Sequence, residues 1–227
     1  MQFSVRDAFN ASAEIAASSH YPNLRLATVA MVTANEPRDD APSKPSTSRP
    51  VWAPSSPAAI NPNVAFSWPS AVCYFFGRSL YIEKGGKIPI GLVGSDWGGQ
   101  RVEAFSSPDA LNDKTCGGTQ PYADGNAYRH RNGSQSPDGM PVEDLSPWQQ
   151  PGVNPGPMQL WYAMIYPLIN MRFRGAAWWQ GEANADWNMQ PKRYACVFPA
   201  VSSPRFSSAV FLVHDQRIGA SGGSFDL

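Results

Sequence analysis

Little charge and no charge bias mark this sequence. Charged residues make up 16% of it, with 18 Lys and Arg set against 18 Asp and Glu. No basic stripe is available to neutralise phosphates, and no Lys/Arg cluster to meet an anionic lipid surface. Nucleic-acid and membrane-surface partners therefore have no electrostatic basis. No apolar run approaches the roughly 20 residues of a membrane span. Met1 to Asp7 lack a charged segment followed by an apolar one, so no signal peptide is expected in the sequence as written. Histidine is scarce: His20, His130 and His214 are the only candidate imidazole bases. The three cysteines, Cys73, Cys116 and Cys196, are far apart and have no metal-ligand spacing. Two of them could pair in an oxidising compartment, or all three could be reduced and buried. Without a metal cluster or a phosphate-binding glycine loop, no cofactor is expected. Asn10-Ala11-Ser12 and Asn132-Gly133-Ser134 fit the N-glycosylation triplet, which favours export slightly.

What the chain does contain is aromatic, proline and glycine: eight Trp, 22 Pro and 19 Gly in 227 residues. That is enough for one α/β domain with a sizeable core and long irregular loops. Residues 7 to 19 predict a short helix with its N-cap near Asp7 or Asn10. Leu24 to Val32 predicts a strand, and 33 to 63 a wandering loop anchored by Trp52. From Ser70 to Lys84, Ala71, Val72, Phe75, Phe76 and Leu80 fall on one helical face, Ser70 suits the N-cap, and Gly85-Gly86 stops the helix. Ile88 to Val93 then predicts a buried strand opening into Gly94-Ser95-Asp96-Trp97-Gly98-Gly99. After a second loop from 106 to 157, Met158 to Met171 predicts a helix bent by Pro167. Phe173 to Trp179 predicts a buried strand opening into Gln180-Gly181-Glu182. A helix at 190 to 200 and a last strand at 208 to 213 complete the pattern, before a disordered Gly/Ser tail. Two helix-strand-turn units predict a doubly wound, mostly parallel sheet, with ligands at its carboxyl edge.

The chemistry is concentrated in those two turns. Gln180 offers a neutral amide directed into a cleft, and Glu182 a carboxylate that accepts hydrogen bonds within its turn. Glu182 and Asp186 could form a carboxylate pair for glycoside chemistry, although nothing in their spacing singles that out. Ser95 lies in a turn similar to a nucleophile elbow, but Val93 stands where the elbow needs glycine. The glycines of that turn instead suit backbone N–H groups approaching a ligand oxygen. His214-Asp215 follows a predicted strand, yet neighbours on a strand point to opposite faces. The residues support a cleft of carbohydrate or ester size and no complete triad.

Several long strings resemble one family in the right order over roughly residues 1 to 200. PIGLVGSDWGGQRVEAFSS, LWYAMIYPLINMRFRGAAWWQGEANADWN, SAVCYFFGRSLY and CVFPA resemble segments of the sialate O-acetylesterase family of SGNH-type hydrolases. The resemblance implies a flavodoxin-like three-layer α/β/α fold, with a mostly parallel and incomplete sheet. It implies serine-hydrolase removal of O-acetyl groups from sialic acids, a lysosomal or extracellular setting, and a small O-acetylated sugar as partner. By the same resemblance Gly98 or Gly99 supplies a backbone oxyanion donor, Gln180 an amide donor, and Glu182 braces the site. The family's Gly-Gln-Ser-Asn-Met-Gln segment would place the nucleophile just upstream of Met1. The family's Asp-x-x-His is not found in the divergent tail, 201 to 227. The expectation is therefore an esterase domain cut at both ends, with nucleophile and His/Asp outside this chain. A catalytically inactive carbohydrate-binding paralogue is the alternative.

Overall fold

A computed structural model describes residues 3–41, 52–62, 68–112, 114, 155–184, 194–198 and 211–213. The organising pair is β1 (Leu24–Thr28) and β3 (Ile90–Gly94). They run parallel, with Leu26 opposite Leu92 and Ala27 opposite Val93. The short β2 (Ala53–Pro54) pairs antiparallel with β1, so the sheet order is β2-β1-β3. A second, two-stranded parallel sheet joins β4 (Ala176–Trp178) to β5 (Phe211–Val213). The chain is thus α/β, and β5 lies where the sequence placed its last strand.

Strand alternation sends successive side chains to opposite faces, and each face has its own core. Leu24, Leu26 and Leu92 join Val5, Ile60, Ala71 and Tyr74 under helix α3 (Ala71–Glu83). On the odd-numbered face, Val29 and Val93 join Trp97, Phe105, Leu160, Ala163, Met164 and Leu168. Helical chain therefore covers the β1–β3 pair on both sides, as an α/β/α layering requires.

Local chemistry explains the element ends. Ser70 caps α3 by accepting from Cys73 N–H, and Gly85 and Gly86 take left-handed backbone (φ 71° and 68°) to stop it. Helix α1 (Ala11–Ala17) starts after Asn10, which is itself left-handed at φ 58°. A 3-10 turn, Val5–Asp7, precedes it. Pro167 lacks the N–H an α-helix would need there, and the predicted 158–171 helix becomes a π-helix (Trp161–Ile165) followed by a 3-10 turn (Tyr166–Leu168).

Some expectations need correction. The inward face of α3 is Ala71, Tyr74, Gly77 and Tyr81, one position away from the predicted face, and Phe76 is exposed. Gly77 is the reason: its bare surface receives Leu92 of β3. A Cβ at Gly77 would lie 2.4 to 2.9 Å from three Leu92 carbons. Gly77→Ala would ordinarily favour a helix by about 1 kcal/mol, but overpacking opposes it by about 1–3 kcal/mol. The expected result is a lower urea midpoint, and a raised midpoint would show that Leu92 re-packs freely. Trp52 is 41% exposed and rests on Gly91 at the sheet surface rather than entering the core. The loops at 33–63 and 106–157 contain short helices, α2 (Pro57–Ile60) and α4 (Pro108–Asn112). The β4 strand is only half-buried, and Trp179 is exposed. Among the cysteines, Cys73 is a free thiol and Cys196 is disulfide-bonded.

Candidate active site

β3 delivers the first turn. Past Gly94 the chain runs through Ser95 to Gly99, which is left-handed at φ 73°. Gln100 then turns inward and is 3% exposed. Its Nε2 donates to the Gly98 carbonyl at 3.4 Å. A buried 3-10 turn, Val102–Phe105, follows and carries Glu103 into the interior at 6% exposure.

β4 delivers the second turn. Gly181 has φ 139°, a conformation open to glycine, and a Cβ there would sit 3.6 Å from the Tyr194 hydroxyl. That hydroxyl donates to the Gln180 carbonyl at 3.4 Å. The 3-10 turn Glu182–Asn184 then brings Asn184 back beneath Gln180.

The two turns, predicted separately, meet. Gln180 Nε2 donates to the Gln100 carbonyl at 3.0 Å, across 80 residues of sequence. It also donates to Asn184 Oδ1 at 2.7 Å. Asn184 Oδ1 accepts from Val102 N–H at 2.8 Å, and Asn184 Nδ2 donates to Glu103 Oε2 at 2.8 Å. The carboxylate can only accept, so it fixes which end of Asn184 faces it. Asn184 in turn fixes which end of Gln180 faces inward. Both Gln180 N–H groups are thereby engaged within the protein. Its Oε1 is buried without a hydrogen-bond partner, as are Gln100 Oε1, Trp97 Nε1 and Trp178 Nε1.

Each candidate residue now has a place. Gly98, Gly99 and Gln180 are brought together. Glu182 is exposed at the start of its turn. The acidic side chain that accepts from Asn184 and so braces Gln180 is Glu103, a correction to the bracing role expected of Glu182. The physical reason is direction: the 3-10 turn points Asn184 inward and leaves Glu182 in water. Ser95 Oγ donates to the Met164 carbonyl at 2.9 Å and has no imidazole beside it. His20 ends a 3-10 turn, Ser18–His20, and is exposed. Asp186, His130 and His214 lie outside the described residues. Asp96, half-buried behind Ser95, has its carboxyl pushed up to about 6 by burial. Burial, and then the nearby Asp96 charge, push the Cys73 thiol up to about 11.

Glu103, Asn184 and Gln100 are the residues that sequence reading missed. Glu103 carried a usable signal, being a lone acid inside the apolar run Val102-Glu103-Ala104-Phe105. Such an acid tends to be buried with partners.

No family model matches the chain. The sialate O-acetylesterase of Rattus norvegicus is 37% identical over 208 residues, covering 88% of this chain and 36% of that protein. The sialate O-acetylesterase of Homo sapiens is 32% identical over 202 residues, covering 88% of this chain and 32% of that protein. The chain is homologous to the sialate O-acetylesterase family. It spans about a third of the length of these relatives. A carbohydrate acetylesterase from Xanthomonas citri has the same fold, with TM-score 0.60 at 21% identity over 93% of this chain and 38% of that one. The α/β reading is therefore shared by a solved structure. The sialate O-acetylesterase homology adds weight to the two turns as the place where chemistry occurs. Among the described residues no group of three His, Cys, Asp or Glu side chains is placed to hold a metal ion. Nor is any described helix long and apolar enough to cross a membrane.

Proposed function

We propose that this protein acts in hydrolysis of O-acetyl esters on sugars, sialic acids in particular, and that its two turns form the oxyanion-binding edge. In acyl transfer a serine oxygen attacks the acetyl carbonyl and negative charge gathers on the carbonyl oxygen. Donors preorganised at that point lower the barrier. Backbone N–H at Gly98 and Gly99, with the Gln180 amide, are the donors assigned here. The observation that carries the reading is the Gln180–Gln100 hydrogen bond, which unites two distant glycine turns at the ends of β3 and β4. Of the two Gln180 contacts, the 3.0 Å bond to Gln100 is longer than the 2.7 Å bond to Asn184. The hydrogen facing Gln100 is the one that turns to a ligand oxygen.

On this reading the nucleophile is not Ser95, whose hydroxyl is directed at Met164, and the exposed His20 is not its base. Those two placements also favour a second reading, a carbohydrate-binding paralogue without turnover. Acetate release from O-acetylated N-acetylneuraminic acid tests both. Ser95→Ala is expected to change neither acetate release nor sugar binding. Saturable hydrolysis abolished by Ser95→Ala would place the nucleophile in the turn and overturn its assignment as a donor edge. Binding of the acetylated sugar without acetate release would select the paralogue reading.

A further inference from the structure

Trp97 Nε1, Gln100 Oε1, Trp178 Nε1 and Gln180 Oε1 are buried polar atoms without a hydrogen-bond partner, and all four sit on the two turns. Such atoms are uncommon in folded proteins, and each calls for an explanation. Poor local packing is not the explanation. Neighbouring polar groups on the same turns are well satisfied: Ser95, Asn184 and the Val102 N–H all have partners at 2.9 Å or less. The four atoms are also close-knit. Gln180 is hydrogen-bonded to the Gln100 carbonyl, and Trp178 packs against the core cluster that holds Trp97. Trp97 and Gln100 are themselves 6% and 3% exposed.

The pattern repeats: each turn offers one orphaned indole donor and one orphaned carboxamide acceptor. We infer that these atoms recognise the hydroxyl groups of a sugar, an assignment resting on the acetyl-sugar reading above. A hydroxyl donates and accepts at once, so a single sugar hydroxyl answers the glutamine oxygen and the tryptophan N–H of one turn. An acetyl group has acceptors only. It can meet the indoles and leaves the glutamine oxygens unanswered. The site therefore takes polyhydroxylated ligands, acetylated or not, and discriminates against simple alkyl or aryl acetates. Buried groups left unpaired by a wrong ligand are a strong source of such discrimination.

Calorimetric titration of the full chain with the methyl glycoside of O-acetylated N-acetylneuraminic acid tests this. The deacetylated glycoside and p-nitrophenyl acetate serve as competitors. The deacetylated glycoside is expected to compete and p-nitrophenyl acetate is not. Gln100→Met removes one orphaned acceptor at nearly constant volume. It is expected to weaken glycoside binding about tenfold while the sugar-free melting temperature holds or rises, since no buried acceptor is left unpaired. A purely structural Gln100 would lower the melting temperature instead. Trp97→Phe deletes the N–H and keeps an aromatic ring, and it decides the matter if Gln100→Met does not fold. Glycoside affinity unchanged in the folded variants overturns the inference and leaves the esterase reading standing. Equal competition by p-nitrophenyl acetate does the same. No binding of either glycoside by the unsubstituted chain overturns both.

Discussion

Asn184→Ala is expected to destabilise the protein by about 3–5 kcal/mol, because one small side chain answers three buried groups at once. Its Oδ1 accepts from Val102 N–H and from Gln180 Nε2, and its Nδ2 donates to Glu103. Alanine leaves two donors short of an acceptor and a carboxylate short of a donor. An unpaired neutral group costs about 1–3 kcal/mol and a charged one more. Asn184 is only half-buried, so water relieves part of the sum. The remainder is still a large share of a typical domain stability of about 5–15 kcal/mol. Urea unfolding would read the loss directly. Asn184→Asp sharpens the test: the accepting oxygen survives, but a second carboxylate now faces Glu103. That variant should be weak at neutral pH and recover on acidification. Combining it with Glu103→Gln restores a donor opposite an acceptor and should rescue most of the stability, a coupling that a double-mutant cycle measures. Independent, additive losses from the two substitutions would show that the Asn184–Glu103 contact does not carry the turn.

This cluster also marks the limit of what sequence reading reached. Strands, turns and the long helix follow from local rules: β-branched and apolar runs, a serine cap, a pair of glycines. Hence β1, β3, β4 and α3 were legible, with ends trimmed by a few residues. The pairing of Gln180 with Gln100 depends on two turns 80 residues apart meeting at the ends of two strands. No local pattern states that. The family resemblance placed both turns near one site, but it assigned the bracing role to Glu182. Which acid points inward is decided by the hand of a three-residue turn, and the turn chose Asn184 and left Glu182 in water. The face of α3 was misjudged for a related reason. Apolarity counted Phe76 as inward, whereas the space beneath the helix is set by Leu92 meeting bare Gly77.

Asp96→Asn is expected to raise stability above pH 6 and to leave it nearly unchanged below pH 4. Asp96 sits between Ser95 and the buried Trp97, and desolvation raises its carboxyl from an ordinary 3.8 to about 6. The folded state therefore holds that proton more tightly than the unfolded chain does. Between about pH 4 and pH 6 the native form binds more protons, so this group's contribution falls as pH rises through that window and levels off above it. The span corresponds to about 3 kcal/mol at most. A carboxamide is uncharged throughout and matches the protonated acid in shape. The difference in stability between Asp96→Asn and the unsubstituted chain should open from near zero at pH 4 to its full value by pH 7. Urea midpoints at the two ends of the range would measure it. A difference independent of pH would show that Asp96 is solvated in the folded state. The Cys73 thiol gives a second readout. Burial is the main reason its pKa is raised, but the Asp96 charge adds to it. Removing that charge should bring the thiol's titration down, seen as faster alkylation at alkaline pH. Both effects bear on the candidate site, because Asp96 lies between Ser95 and the Gly98-Gly99 donors. In mildly acidic surroundings the turn is neutral and more stable. At neutral pH a negative charge stands beside the place where an oxyanion would form, and weaker binding of that oxyanion is the expected result.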